Sequence, residues 1–179
     1  MATAIKTEGG DRVNVGGVTA IASDSLQRPA DTTQYTAADQ VAPSTTAANN
    51  RNLEFTVARV DGGTGIITHA VLVDSSSEST KPSFDLLLFD SPVTNVADNA
   101  AAAPTDTEVE AAIGVISFDG PSGANFKVAG ANGIIVASNL NIPFACRNGR
   151  KIYGILVARN AYTPVSREIF TLRLGILQD

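Results

Sequence analysis

The fold class is decided by the stretch at residues 151–177, KIYGILVARNAYTPVSREIFTLRLGIL. Between 152 and 158, apolar residues occupy both alternating positions, which predicts a strand that is covered on both faces. Between 170 and 176, apolar residues fall at every second position, which predicts a strand with one buried face. The intervening segment 160–166 contains Asn, Pro and Ser, residues that favour turns. We therefore expect a long hairpin that closes a β-fold.

The same patterns recur upstream of this stretch. Apolar and polar residues alternate at 18–26, 53–60 and 66–74, and a short apolar run at 84–89 predicts a central strand. Together with the weaker candidates, about eight to ten short strands follow one another at spacings of about 10–15 residues. This pattern predicts an all-β fold, either a two-sheet antiparallel sandwich or a jelly roll.

One short helix is expected among the strands. Thr105 and Glu108 have the spacing of a capping box, and Val109, Ala112 and Ile113 fall on one helical face. A glycine follows at once, so the helix should span little more than two turns.

The chain is expected to form a flexible N-terminal arm, residues 1–17, and one β-sandwich or jelly-roll domain, residues 18–179. The arm is polar and interrupted by glycine pairs, and we expect it to be weakly held until a partner binds it. The residues expected in the core between two sheets are Phe55, Val57, Ile67, Val71, Leu86, Leu88, Ile116, Ile155, Val157, Phe170 and Leu172.

Composition excludes several classes of partner. The net charge is −5 and the 13 Lys and Arg residues are dispersed, so nucleic acid is not an expected partner. No apolar run approaches the ~20 residues of a membrane span, so we expect no membrane contact. The N-terminal residues lack the pattern of a secretory signal, which predicts synthesis and assembly in a cytoplasm.

The sequence has few residues that could form a catalytic site, a metal site or a disulfide. Cys146 is the only cysteine, so no intrachain disulfide or cysteine metal cage can form, and its apolar neighbours predict a buried thiol. His69 is the only histidine, and strict alternation with Ile67 and Val71 would place it on the inner face as a packing residue. We expect no catalytic residue, no metal site and no cofactor.

Two weaker functional possibilities remain open at this point. Asp85 and Asp90 flank an apolar strand and are the pair that a carboxylate-based glycan hydrolase would use. Tyr35 and Tyr162 are the aromatic residues expected in loops, and they offer only a small platform for stacking sugars.

Several segments carry a family resemblance. These are RPADTTQYTAAD at 28–39, FDLLLFD at 84–90, LNIPF at 140–144, YGILVAR at 153–159 and LGILQD at 174–179. They resemble small head-associated virion proteins of tailed bacteriophages, the capsid decoration or cement proteins. The resemblance implies a structural virion protein that binds the outside of a phage capsid, is assembled in the host cytoplasm, and has no catalytic residues.

The resemblance also implies partners and a contact site. The expected partners are the major capsid protein and further copies of the chain, as a trimer or dimer. We predict that Arg28, Asp31 and Tyr35 lie at a contact with the capsid or a sister subunit; the alternative is that they shape a turn and fasten it to the sheet. The second functional hypothesis is a head-fibre or tail adhesin module that binds host glycans.

Overall fold

The computed structural model describes residues 17–78, 80–120, 126–127 and 132–179. The expected arm therefore lies outside the described residues apart from Gly17, and it stays a prediction. The strands within these ranges are β1 Val18–Gln27, β2 Asp39–Val41, β3 Leu53–Thr56, β4 Thr64–Asp74, β5 Phe84–Phe89, β6 Ala100–Ala101, β7 Ala112–Phe118, β8 Phe126–Lys127, β9 Gly133–Ala137, β10 Ile142–Ala145, β11 Lys151–Ala158 and β12 Ile169–Gln178. One α-helix, α1 Asp106–Val109, and one 3-10 turn, Ala47–Asn49, complete the described elements.

The strands form two antiparallel sheets that pack face to face. The first sheet has the order β1-β12-β4-β9-β8, with β10 also paired to β4. The second sheet has the order β6-β2-β11-β5-β7, with β3 also paired to β11. β2 and β3 both pair with β11, and β9 and β10 both pair with β4, so each of these couples is counted as one interrupted strand. With the two-residue strands β6 and β8 left out, the first sheet takes strands one, three, six and eight of the chain. The second sheet takes two, four, five and seven, which is the strand order of a jelly roll. The predicted fold class is confirmed, and the strand order selects the jelly roll from the two alternatives.

The closing segment is not a hairpin. β11 pairs with β2, β3 and β5 in the second sheet, whereas β12 pairs with β1 and β4 in the first. The polar loop between them crosses from one sheet to the other. Each strand pattern was read correctly, but a polar loop between two strands does not determine whether they pair.

The core between the sheets contains most of the expected residues, including Phe55, Ile67, Leu86 and Phe170. Three expected residues lie elsewhere. Ile155 and Val157 are buried on the outer side of the second sheet, in a small cluster with Phe89 and Val93, and Val71 is half-buried on the outer side of the first sheet. β11 is apolar on both faces because the loop that follows β5 covers its outer side.

A β-bulge explains the position of Val71. Gly175 pairs with His69, but the next residue, Ile176, pairs with Ile67, so Thr68 is an extra residue in β4. The extra residue reverses the alternation, and His69 consequently lies on the outer face. There its ring covers Gly175, where an added Cβ would stand 1.9 Å from the imidazole Cε1. The inward position expected for His69 is wrong because strict alternation cannot anticipate a bulge.

The helix is shorter than expected. The capping box of Thr105 and Glu108 is present, but α1 ends at Val109, and Ala112 already pairs with Phe89 in the second sheet. The apolar stripe expected along two helical turns therefore does not form, and Val109 is exposed. A helix this short gains little from its own hydrogen bonds, so pairing with the sheet prevails.

Candidate interface site

Arg28 lies at the end of β1 and is fully buried. Its Nε donates to the Tyr35 hydroxyl at 2.7 Å, and its Nη1 donates to the backbone carbonyl of Asp31 at 2.9 Å. Its Nη2 donates to the carboxylates of Asp31 at 3.2 Å and Asp98 at 3.0 Å. The guanidinium is thus held by neutral and charged acceptors on two separate chain segments.

Tyr35 and Asp98 complete this buried network. The Tyr35 hydroxyl donates to Asp98 Oδ1 at 2.6 Å, and the same oxygen accepts the Ala42 backbone N–H at 2.9 Å. Burial raises the pKa of Asp98, even though the hydrogen bonds from Tyr35 and Ala42 favour its charged form. Burial, and then the hydrogen bond to Asp98, raise the pKa of Tyr35 far above its usual range, so the phenol stays protonated. Sequence reasoning missed Asp98, because nothing in its local sequence links it to residues 63 and 70 positions earlier.

The three predicted interface residues are brought together by this network. Arg28 and Tyr35 are inaccessible to solvent in the single chain, whereas the Asp31 side chain keeps 34% of its exposure. Of the three, only Asp31 can touch a partner directly. The interface role stays a prediction, and for Arg28 and Tyr35 it would act through the loops that they hold.

Those loops form one edge of the jelly roll, which we call the rim and define as residues 28–52 and 91–104. Besides the bonds to Asp98, Asn52 Nδ2 donates to the Val93 carbonyl at 3.1 Å and Asn52 Oδ1 accepts the Val93 N–H at 3.0 Å. Asn50 Nδ2 donates to the Val96 carbonyl at 2.6 Å. Side chains of one loop therefore satisfy backbone groups of the other, which fixes the two loops relative to each other.

The outer face of the first sheet differs from that of the second in that none of the described loops covers it. Its outward residues on β1, β12, β4 and β9 are Thr19, Ile21, Ser23, Ser25, Gln27, Ile169, Thr171, Arg173, Gly175, Leu177, Ile66, His69, Val71, Val73, Ile134 and Val136. We call this set the bare face. Ile21 is 54% exposed, Val136 45% and Leu177 37%.

The bare face also carries little charge. Arg173 is its only Lys, Arg, Asp or Glu among the described residues, and half of the outward positions are Ile, Val or Leu. The solvent-facing side of an antiparallel sheet is ordinarily polar. Contiguous exposed apolar residues mark surfaces that bind other macromolecules.

A second buried polar cluster lies at the end of β4. Lys81 Nζ is 2.9 Å from Asp74 Oδ2, with both side chains excluded from solvent, and it also donates to the Ser76 carbonyl at 2.6 Å. The Ser76 backbone N–H donates to Asp74 Oδ1 at 2.8 Å. Glu168 lies near Asp74, and burial together with this neighbouring carboxyl group raises the pKa of Glu168 to about 8.

The other sequence candidates lie apart from one another at the surface. Asp85 Oδ1 accepts from Ser117 and is 3.5 Å from Arg159, while Asp90 is 3.4 Å from Arg147. Neither acid lines either of two shallow surface grooves of about 230 and 210 Å³ in the described part of the chain. The first groove contains His69 and belongs to the bare face; the second follows the turn between β3 and β4. In the described ranges, no group of three or more His, Cys, Asp or Glu residues is placed to hold a metal ion.

The aromatic platform also differs from expectation. Tyr35 and Tyr162 are both buried, joined by backbone hydrogen bonds, and Tyr162 donates to Glu168 at 2.6 Å. Among the aromatic side chains that the structure describes, none is exposed. Cys146 is buried, as predicted, and burial raises the pKa of its thiol. None of the described helices has the length and apolar character needed to cross a membrane.

Comparison with known proteins yields structural neighbours only. No protein-family model and no curated protein matches the chain. A chain of the cyanophage Pam1 capsid asymmetric unit aligns over 99% of this chain and 97% of its own length, at 15% identity and a TM-score of 0.30. A chain of Desmodium yellow mottle tymovirus aligns over 100% and 95%, at 13% identity and a TM-score of 0.29. Both neighbours come from viruses, but alignments at these TM-scores carry no argument about this chain, whose fold is established by its own strand order.

Proposed function

We propose that this protein is a structural virion protein that binds the outside of a phage capsid and stabilises it, as decoration proteins do. The observation that carries the proposal is the bare face, an apolar sheet surface with a single charge, next to a rim of rigidly joined loops. Such a body offers surfaces for binding, and the polar groups that it buries around Arg28 and Asp74 are engaged in structural networks.

The bare face fits a second copy of this chain. The molecule has a net charge of −5, so two copies repel each other across most of their surfaces. The bare face lacks Asp and Glu among its described residues, so copies that meet there bring apolar side chains together without adding to the negative charge that repels them elsewhere. Self-association through this face would give the dimer or trimer that the sequence resemblance implies.

The rim fits the capsid. Its loops are held by Asp98, Asn50 and Asn52, so little conformational freedom is lost when they bind. An oligomer presents several rims at once, and multivalent attachment holds a shell more firmly than any single contact. Asp31 is the predicted interface residue that is accessible on this edge.

The host-glycan alternative has less support. Sugar-binding surfaces commonly use exposed aromatic side chains, and every aromatic side chain that the structure describes is buried or, for Tyr153, half-buried. Their hydroxyls are also occupied, since Tyr35 and Tyr162 each donate to a buried carboxylate.

The test of the function is particle composition. Purified particles of the phage that encodes this chain should contain it in a fixed ratio to the major capsid protein, and recombinant protein should rebind particles stripped of it. Absence from the particles, or a copy number of only a few per particle, would exclude a decoration role.

The test of the bare face is oligomeric state. Ile21→Asp should convert the oligomer to a monomer in size-exclusion chromatography with light scattering, because it places a charge in the apolar contact. The matched control is Val60→Asp, which changes an even more exposed valine (64%) in the turn between β3 and β4. An oligomer that survives Ile21→Asp, or is lost equally with Val60→Asp, would argue against the bare face.

A further inference from the structure

Asp74, Lys81 and Glu168 form a buried trio that the proposed function does not use. The Lys81 Nζ lies 2.9 Å from an Asp74 carboxylate oxygen, and the exposed fractions of the two side chains are 1% and 0%. Glu168 is equally buried, and burial together with the neighbouring Asp74 carboxyl group raises its pKa. One amine and one carboxyl group are therefore in contact, with a second carboxyl group beside them, and all are removed from water.

The trio is tightly packed, and an aromatic pair lies beside it. Asp74 pairs with Phe170 on one side and with Gly133 on the other, and the Lys81 stem lies directly over Gly133. The Phe170 ring packs edge-on against Phe84 at a centroid distance of 5.0 Å. Bulk water is excluded from the contact between Lys81 and Asp74, so an amide formed there would be shielded from hydrolysis.

We propose that Lys81 and Asp74 condense spontaneously into a side-chain amide, with Glu168 as the residue that transfers the protons. The bond would close the segment between β4 and β5 into a covalent ring inside the body of the protein. The condensation is redox-neutral and releases one water molecule. It therefore requires no cofactor, oxidant or activated substrate.

The step balances with the groups present. An ammonium proton passes from Lys81 Nζ to the Asp74 carboxylate, and the neutral amine then attacks Asp74 Cγ to form the Nζ–Cγ bond. Glu168 donates its proton to the departing Asp74 oxygen as the Cγ–O bond breaks, and water leaves. Glu168 then recovers the proton that the nitrogen loses on becoming an amide, so its protonation state is unchanged overall.

Ser76 is placed to assist. Its backbone N–H donates to Asp74 Oδ1 at 2.8 Å, the oxygen on which negative charge develops when the amine adds to Cγ. Its hydroxyl donates to Asp74 Oδ2 at 2.9 Å, the oxygen that leaves. After condensation, the amide N–H can still donate to the Ser76 carbonyl, which now lies 2.6 Å from Nζ.

The test is the mass of the intact, purified protein after incubation at neutral pH. We expect a mass lower by one water than the sequence requires, and a proteolytic digest in which Lys81 and Asp74 lie in one branched peptide. Mapping the digest separates this product from a succinimide at Asp61–Gly62 or Asp119–Gly120, which would cause the same mass loss.

Variants assign the roles. Lys81→Arg cannot form the bond and should have its full mass, and Glu168→Gln should slow the loss of water by roughly 10²-fold or more, because it removes the proton-transfer group. The matched control is Lys151→Arg, which changes a surface lysine paired with Glu54 and should leave the loss of water intact. A wild-type protein that keeps its full mass after prolonged incubation overturns the proposal and leaves Asp74 and Lys81 as an ion pair, whether or not the variants fold.

Discussion

Replacing Tyr35 with Phe removes one oxygen from the most heavily hydrogen-bonded part of the molecule. That oxygen accepts from Arg28 Nε at 2.7 Å and donates to Asp98 Oδ1 at 2.6 Å. The ring and its packing are retained, so no large cavity forms. The loss is confined to the network, in which Arg28 Nε loses its partner while Asp98 keeps the Ala42 N–H and an Arg28 nitrogen.

The expected cost follows from these partners. A buried donor left without an acceptor costs about 1–3 kcal/mol, and hydrogen bonds to charged groups are worth about 1.5–3 kcal/mol. We therefore expect Tyr35→Phe to lower the free energy of unfolding by about 2–4 kcal/mol. For a domain of this size, each kcal/mol corresponds to ~2–4 °C, so Tm should fall by ~4–16 °C. Asp31→Asn should cost less than about 1 kcal/mol, because that ion pair is partly solvated.

Urea unfolding and thermal scans of both variants measure these effects, with Tyr153→Phe, a half-buried tyrosine on the second sheet, as the control. Capsid occupancy of the folded fraction is measured in parallel. A Tyr35→Phe protein of unchanged stability would refute the structural role of the network. Normal stability combined with lost occupancy would instead show that Tyr35 supports capsid binding through the loops that it holds.

Three further predictions concern single residues. The pKa of Glu168 is raised from 4.5 to about 8, so between these pH values the folded state retains a proton that the unfolded state releases. The free energy of unfolding should therefore fall as pH rises from 4.5 to 8. Glu168→Gln should flatten this slope in urea midpoints measured across the range. The pKa of Glu108 is lowered from 4.5 to about 2, chiefly by the hydrogen bond from the Thr105 N–H. The contribution of Glu108 to the free energy of unfolding should therefore be lost as pH falls through that interval. Glu108→Gln should remove this part of the acid transition followed by circular dichroism. Gly175→Ala should lower the free energy of unfolding by about 1–3 kcal/mol, because the new methyl group meets the His69 ring. Adding His69→Ala should restore most of the lost stability. Additive effects in this double-mutant cycle would contradict the contact.

Sequence patterns anticipated the features that depend on near neighbours. Alternation located β1 and β4 to within a few residues, and the apolar run at 84–89 located β5 with its observed bounds. In each case the residues of the strand itself determine its pattern of burial. The capping box of Thr105 and Glu108 was recognisable for the same reason, since both partners lie within one turn.

Features that depend on distant partners could not be anticipated in this way. The sheet membership of β11 and β12 is decided by strands more than sixty residues upstream, and the polar loop between them is equally compatible with a hairpin and with a crossing. Asp98 has no local signal that connects it with Arg28. The bulge at His69 becomes visible only when β4 is paired with β12.

The placement of β11 and β12 has a kinetic consequence. Each is an interior strand of its sheet, with partners on both sides that are made long before it. While the ribosome is still translating, β1, β4, β2 and β5 expose unsatisfied backbone edges toward the positions that these late strands will occupy, and such edges can recruit other chains. Closing pairs such as Val18 with Gln178 also requires contact between residues far apart in sequence, which slows folding. We expect the nascent chain to depend on dilution or on a chaperone until its final strands emerge.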